Sequence, residues 1–135
     1  MRHLITFFLI IFLTNSCAKN EFSNKNNVPE QKDFNNELNA ELSRQYSNQN
    51  GKILKLNWEL IADKPLEKES SYPEYFVWIK MSHTNKVVNQ GLVKLIVKDK
   101  KFRSIAFMND ERIRTVPADA SREFPAEILE KIKNK

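Results

Sequence analysis

The chain is poor in the residues on which several common kinds of site depend. Its 135 residues include two glycines, two histidines and one cysteine, Cys17. A phosphate-binding loop needs several closely spaced glycines, and a zinc site needs three or four clustered cysteine, histidine or carboxylate ligands. A single cysteine forms no disulfide within the chain. The composition therefore argues against a nucleotide-binding loop, a zinc site and a disulfide framework, and we expect neither a metal nor a cofactor.

Groups suited to catalysis are equally scarce. After the first residues the only histidine is His83, at the exposed end of a predicted strand. Ser82 beside it would point to the opposite face of the sheet, so adjacency does not make the two a catalytic pair. Paired carboxylates occur at two places, both in predicted loops: Glu67 with Glu69, and Asp110 with Glu111. Because charged residues in such loops commonly serve solubility, we do not expect an enzyme.

The beginning of the chain carries an apolar run. Residues 4–13 are apolar at nine of ten positions, interrupted by Thr6 alone, and Arg2 precedes them. Ten helical residues span about 15 Å, roughly half of a hydrocarbon core, so the run is too short for a permanent membrane span. A basic residue, a short apolar stretch and small or polar residues after it are the layout of a signal peptide. A buried strand is the alternative, but no polar residues alternate with the run.

Cys17 follows this run after Thr14, Asn15 and Ser16. A cysteine in this place resembles the lipobox of bacterial lipoproteins, where it becomes the first residue of the mature chain and is diacylated on its sulfur. Ser16 matches the small residue that precedes the cysteine in that family. Thr14 and Asn15 depart from the pattern, and Leu13 lies one place too early. Ordinary secretion, with cleavage nearby, is therefore the alternative.

The resemblance covers residues 1–18 and implies where the protein is found. It implies a signal peptide over residues 1–16, with two or more acyl chains at Cys17, which anchor a protein stably where one chain does not. The protein would then lie on a bacterial envelope membrane, facing away from the cytoplasm. Ala18 favours the outer membrane, on its periplasmic side, because enterobacterial lipoproteins held at the inner membrane carry aspartate at that position.

A flexible tether is predicted between this cysteine and the folded part. Residues 18–29 are rich in asparagine, lysine and serine, and only Phe22 and Val28 offer apolar surface to bury. Such a segment does not offset the entropy of ordering, and as a coil its twelve residues would span about 20 Å on average. We therefore divide the chain into a signal peptide, a lipidated cysteine with its tether over residues 17–29, and one domain over residues 30–135.

The periodicity of that domain predicts an α+β fold. After Pro29, apolar residues recur every four positions, which predicts a helix with one narrow stripe that docks on a sheet or forms an oligomer seam. The stripe consists of Phe34, Leu38, Leu42 and Tyr46. From residue 52 onward apolar and polar residues alternate, which predicts strands. Residues 124–135, with a proline in the first turn, predict a short C-terminal helix.

The strands are predicted in four or five segments. The first includes Trp58 on its buried face, and the second, residues 74–83, carries bulky side chains on both faces, as a central strand does. Residues 91–108 read as a hairpin that turns at Asp99 and Lys100, and a short strand over residues 112–116 follows. The order of helix, antiparallel sheet and short helix is similar to that of the cystatin-like and NTF2-like folds of secreted proteins, an analogy of order alone.

Positive charge is concentrated late in the chain. Residues 86–114 hold eight lysines and arginines against three acidic residues, whereas residues 17–75 hold eight against ten. The candidate contacts for an anionic partner are Lys94, Lys98, Lys100, Lys101, Arg103, Arg112 and Arg114. Such a patch attracts polyanions through its summed field, and a merely solvated outer sheet face is the alternative.

Two classes of function follow from these features. The first is a lipid-anchored envelope module that binds a partner or acts as an adaptor, an inhibitor or immunity protein being one version. Its partner would be an envelope protein, an anionic lipid headgroup or a cell-wall polymer, and the envelope address argues against nucleic acid. The second is a small periplasmic hydrolase or isomerase with a pocket between helix and sheet. We favour binding because groups suited to catalysis are few.

Overall fold

The long helix predicted after Pro29 is the first regular element of the protein, seen here in a computed structural model that describes residues 28–62, 64–66 and 72–135. The elements follow in the order α1 (Gln31–Tyr46), β1 (Asn48–Gln49), β2 (Lys52–Ile53), β3 (Lys55–Leu60), β4 (Glu74–His83), β5 (Lys86–Lys98), β6 (Lys101–Asn109), α2 (Asp110–Thr115), α3 (Pro117–Glu123) and α4 (Ala126–Lys131). The apolar run of residues 4–13, Cys17 and most of the tether lie outside the described residues.

The main sheet has four antiparallel strands in the order β3-β4-β5-β6, and β1 and β2 form a separate two-stranded ladder. Each strand pairs with its neighbour in the chain, so the sheet is built from successive hairpins. Strand β4 is internal, and residues 74–79 are all buried, as the bulk on both its faces predicts. The α+β architecture is therefore confirmed.

Two tight turns close the hairpins on either side of β5. Thr84 and Asn85 have φ values of 48° and 63°, and Asp99 and Lys100 have 51° and 60°. Two successive residues in the left-handed region form the turn whose twist matches paired strands, so the predicted turn at Asp99 and Lys100 is confirmed. Strand β5 has 13 residues. At about 3.3 Å per residue, the two turns lie about 40 Å apart, at opposite ends of the sheet.

Helix α1 covers one face of this sheet with its apolar stripe. Leu38 and Leu42 are fully buried against β4, β5 and β6. The ring of Phe34 meets the rings of Tyr75 and Phe102 edge-on, with centroids 5.4 Å and 5.0 Å away. Edge-to-face contacts add to what area burial contributes. The stripe is therefore a face that docks on the sheet, as predicted.

The opposite face of the sheet is covered by the C-terminal helices. Trp78 and Leu92 are buried there beneath Phe124, Ile128 and Ile132. The predicted C-terminal helix is thus confirmed, with Ile128 and Ile132 buried. The sheet lies between two helical layers, and none of the helices in the described ranges is long and apolar enough to cross a membrane.

The strand predicted over residues 112–116 is wrong, because these residues belong to α2 and the link that follows it. The Asn109 side chain caps α2, its Oδ1 accepting a hydrogen bond of 2.9 Å from the Arg112 backbone N–H. Asp110 and Glu111 follow in the first turn, where carboxylates are favourable. These capping signals outweigh the short alternation of apolar residues after them.

The expectation that Trp58 is buried is also wrong. Trp58 is half-buried on β3, an edge strand, and its Nε1–H donates to Asn39 Oδ1 at 2.5 Å. Trp78, on central β4, is the deeply buried tryptophan, with 2 % of its surface exposed. Alternation in the sequence indicates the face on which a side chain lies, whereas its depth depends on how many strands and helices surround it.

Candidate functional site

The seven basic residues predicted to contact an anionic partner do not form one patch. They fall into three groups, at the β5–β6 turn, on the face of the sheet covered by the C-terminal helices, and on α2. The first group consists of Lys98, Lys100, Lys101 and Arg103, all exposed, and we call it the basic pole. The structure therefore narrows the predicted patch to four residues that surround one turn.

Lys94 is separate from the basic pole. Its Nζ lies 3.3 Å from Glu74 Oε1, and the two side chains are only 17 % and 8 % exposed. Lys94 and Lys98 share a face of β5, but near Lys94 that face is covered by the segment around Phe124, with which Lys94 lines a cleft. The charge of Lys94 is thus paired with the buried carboxylate of Glu74, and the role of Lys94 is structural.

The arginines of α2 are paired within the helical layer. Arg112 Nη2 lies 2.8 Å from Asp119 Oδ2, and Arg114 Nε lies 2.6 Å from Asp110 Oδ1. Because α2 begins where β6 ends, these arginines are far along the sheet from the basic pole. Their paired charges add little to its field.

The side chains of the basic pole are largely free of carboxylates. Lys98 Nζ lies 5.6 Å from the centre of the Tyr72 ring, within the range of a cation–π contact. Lys101 Nζ lies 4.0 Å from Glu37 Oε2 and stays 72 % exposed. Within the described parts of the chain, Lys100 and Arg103 have no carboxylate within 4.0 Å. The pole therefore presents positive charge to solvent.

The chain enters the domain at this same end. Pro29 is buried, and Val28 packs against the apolar cluster beneath α1. The first turns of α1 then contact the hairpin that carries the basic pole, through Phe34 on Phe102 and Glu37 beside Lys101. A tether that ends at residue 29 is thus attached next to the basic pole, and the β4–β5 turn lies at the far end.

The outer edge of β6 is protected by α1. Glu41 is buried, and its Oε1 accepts the Ser104 backbone N–H at 2.8 Å while its carboxylate also accepts from Arg44. The hydroxyls of Tyr46 and Ser104 share a hydrogen bond of 2.5 Å. Burial raises the pKa of Tyr46, against the lowering effect of that hydrogen bond. The sequence indicated none of this, because Glu41 and Ser104 are 63 residues apart.

The catalytic candidates that lie within the described residues are not assembled into a site. His83 Nδ1 lies 3.3 Å from the Ile53 carbonyl oxygen, at the far end of the sheet. Asp110 and Glu111 lie in the first turn of α2 rather than in a loop, and Glu67 and Glu69 are outside the described residues. Over residues 28–62, 64–66 and 72–135, no three histidine, cysteine or carboxylate side chains come together as metal ligands would.

The interface between α1 and the sheet, where an enzymatic pocket would lie, is filled by buried apolar side chains such as Leu38, Val77 and Leu95. A cleft of about 480 Å³ is found instead between the C-terminal helices, lined by Ile113, Leu129 and other residues.

The chain matches no protein-family model, no curated protein and no solved structure. The similarity of element order to cystatin-like and NTF2-like folds therefore stays a prediction.

Proposed function

We propose that the chain is a lipid-anchored protein of the bacterial cell envelope that acts as a binding or adaptor module. The observation that carries the proposal is the position of the basic pole beside the point where the tether joins the domain. The signal-peptide pattern and Cys17 supply the anchor, and Ala18 favours the outer membrane. An anchored domain would then have its positive charge nearest to the membrane.

Anionic lipid headgroups are the partner that suits this arrangement. A basic residue near an anionic membrane contributes about 1 kcal/mol of attraction, which falls off within a Debye length. Lys98, Lys100, Lys101 and Arg103 are close enough together to act jointly. They would orient the domain with the β5–β6 turn toward the bilayer, so that the β4–β5 turn faces away and is accessible to another protein.

Lipidation of Cys17 is the first expected result. Purified from envelope membranes, the mature protein should give an N-terminal peptide that begins at Cys17 and carries acyl mass, because the cysteine lies where a lipoprotein is cleaved and modified. Mass spectrometry measures this directly. A Cys17→Ser chain should lack the acyl mass. A free thiol at Cys17, or a mature chain that begins elsewhere, would contradict the prediction.

Reversal of the basic pole should weaken membrane association. We expect Lys98→Glu/Lys100→Glu/Lys101→Glu to lower the affinity for phosphatidylglycerol vesicles about 100-fold, since three attractions of about 1 kcal/mol are lost. The measurement is co-sedimentation of the mature chain without acyl groups, from residue 18 onward, across a salt series. The variant should also show a shallower dependence on salt.

The matched control reverses three exposed lysines at the other end of the sheet, Lys52, Lys55 and Lys86. This variant has the same net charge as the first, so any difference between them reports position rather than total charge. We expect its vesicle affinity to stay well above that of the first variant. Equal losses in the two variants would show that the basic pole has no special role.

A further inference from the structure

The first five residues of β5 have an open edge. Strand β6 pairs with residues 91–98 of β5, and the last paired residue of β6, Asn109, lies opposite Gly91. On one side residues 86–90 pair with β4 around a bulge. Asn89 pairs with Met81 and Val87 with Ser82, so Val88 is an extra residue. On the other side of residues 86–90 the described residues provide no strand, because the chain leaves the sheet at Asp110 to form α2. A row of backbone N–H and C=O groups is therefore left for water or for another strand.

This open edge carries exposed apolar side chains. Val87 and Val88 are 50 % and 53 % exposed. A cleft of about 450 Å³ runs beside them, walled on its far side by Asn109, Asp110 and Glu111. Edge strands normally carry lysine, proline or inward charges that discourage pairing, and within residues 86–90 Lys86 alone is of this kind. Two adjacent β-branched residues on an unpaired edge, with a cleft alongside, favour the addition of a strand.

The outer edge of β6 is covered near Ser104. On β6, the partners of Lys94 and Leu95 are Ala106 and Ser104, so Ile105 is an extra residue in a bulge. Beside this bulge the Glu41 carboxylate of α1 accepts the Ser104 backbone N–H, so α1 covers this part of the edge. Val88 also lies in a bulge, but among the described residues no side chain is hydrogen-bonded to the backbone of residues 86–90.

We propose that this open edge, residues 86–90 together with the start of α2, binds an extended segment of a partner envelope protein by strand addition. The inference names the partner class of the binding module proposed above and rests on that function. The occupant is an extended chain because extended backbone pairs with the unpaired N–H and C=O groups of a strand edge. Apolar side chains of that segment would pack on Val87 and Val88.

Charge complementarity indicates a basic residue in the bound segment. Asp110 accepts from Gln90 and pairs with Arg114. Glu111 is exposed and has no cationic partner in the described part of the chain. A lysine or arginine of the partner would meet this carboxylate at the wall of the cleft.

A second copy of the chain fits this edge less well. Antiparallel pairing of two copies centred on Val88 would place Asn85 of one copy opposite Gly91 of the other. Gly91 is already paired with Asn109. The edge also lies about 30 Å from the basic pole along β5, so a partner can reach it while the pole lies on a membrane.

The test places a photo-crosslinking benzoylphenylalanine at Val88 of the full chain, expressed in its own envelope. The matched control places it at Ile105, which is 50 % exposed and also lies in a bulge, but next to the Ser104 N–H that α1 already covers. We expect an adduct from position 88 and none from position 105. Mass spectrometry should map the adduct to an extended segment of another protein. Adducts from both positions, from neither, or to a second copy would overturn the proposal.

The mapped segment is then made as a synthetic peptide and added to the full chain in detergent. We expect amide hydrogen exchange of residues 86–90 to slow at least tenfold, because strand addition protects backbone N–H groups. A peptide N-methylated at alternate residues should not slow exchange, and Val88→Lys should weaken binding at least tenfold at an unchanged melting temperature. Binding of the first peptide without slower exchange would also overturn strand addition.

These results are separable from the membrane proposal. The Lys98→Glu/Lys100→Glu/Lys101→Glu variant tests vesicle binding alone, and we expect it to crosslink from position 88 as the unsubstituted chain does. Failure of vesicle binding with a retained adduct would contradict the membrane proposal only. Loss of the adduct with normal vesicle binding would contradict strand addition only.

Discussion

Replacing Trp78 by alanine is expected to destabilise the domain by about 3–5 kcal/mol, the usual cost of removing a large buried aromatic side chain. Trp78 lies on central β4, and its indole packs in the apolar cluster beneath Phe124 and Ile128. The sheet holds it from below and the helices from above, so the cavity cannot close easily. Trp58→Ala should cost about 2 kcal/mol, because that indole is half-buried on an edge strand.

Urea denaturation of the two variants measures the difference. Trp78→Phe is the control that keeps an aromatic ring and leaves a smaller cavity than alanine does. Among the described residues, the buried Nε1 of Trp78 has no hydrogen-bond partner, so the phenylalanine loses no bond and relieves an unsatisfied donor. We therefore expect Trp78→Phe to lose much less stability than Trp78→Ala. Equal losses of stability for Trp78→Ala and Trp58→Ala would contradict the conclusion that Trp78 is more deeply buried than Trp58.

Replacing Lys94 by methionine is expected to cost about 3 kcal/mol, toward the lower end of what breaking a buried ion pair costs. Methionine preserves most of the volume but leaves the Glu74 carboxylate without its cation. Glu74 Oε2 already lacks a partner in the described structure, so the remaining charge would be poorly solvated. The double variant Lys94→Met/Glu74→Leu should recover most of the loss, because it removes both buried charges.

Lys98→Met is the control for this substitution, since it makes the same change on the same face of β5 at an exposed position. Exposed substitutions usually change stability by less than about 0.5 kcal/mol. A double-mutant cycle in urea should give a large coupling energy for Lys94 with Glu74. If Lys94→Met were as mild as Lys98→Met, the buried pair would not contribute as the geometry indicates.

Local patterns were sufficient to predict several of the elements. The stripe of α1, the two-sided burial of β4 and the turn at Asp99 and Lys100 depend on residues within a few positions of one another, and all three are confirmed. The start of β5 was missed, although Val87 and Val88, which follow two residues suited to a tight turn, were a signal for it. Asn109, followed by Asp110 and Glu111, is also a signal for the start of a helix, and the alternation after it misleadingly indicates a strand.

The sequence by itself determined the α+β class, the predicted signal peptide and the concentration of basic residues after residue 86. Only the tertiary structure decided which of these basic residues are available. Lys94 and Lys98 lie on the same face of β5 and occupy equivalent positions in its alternation, yet the charge of Lys94 is paired with Glu74. Likewise, the open edge at residues 86–90 exists because β6 ends early and α2 turns away. The periodicity of the sequence indicates the face on which a side chain lies. Burial, ion pairing and open strand edges depend on segments that are distant in the chain.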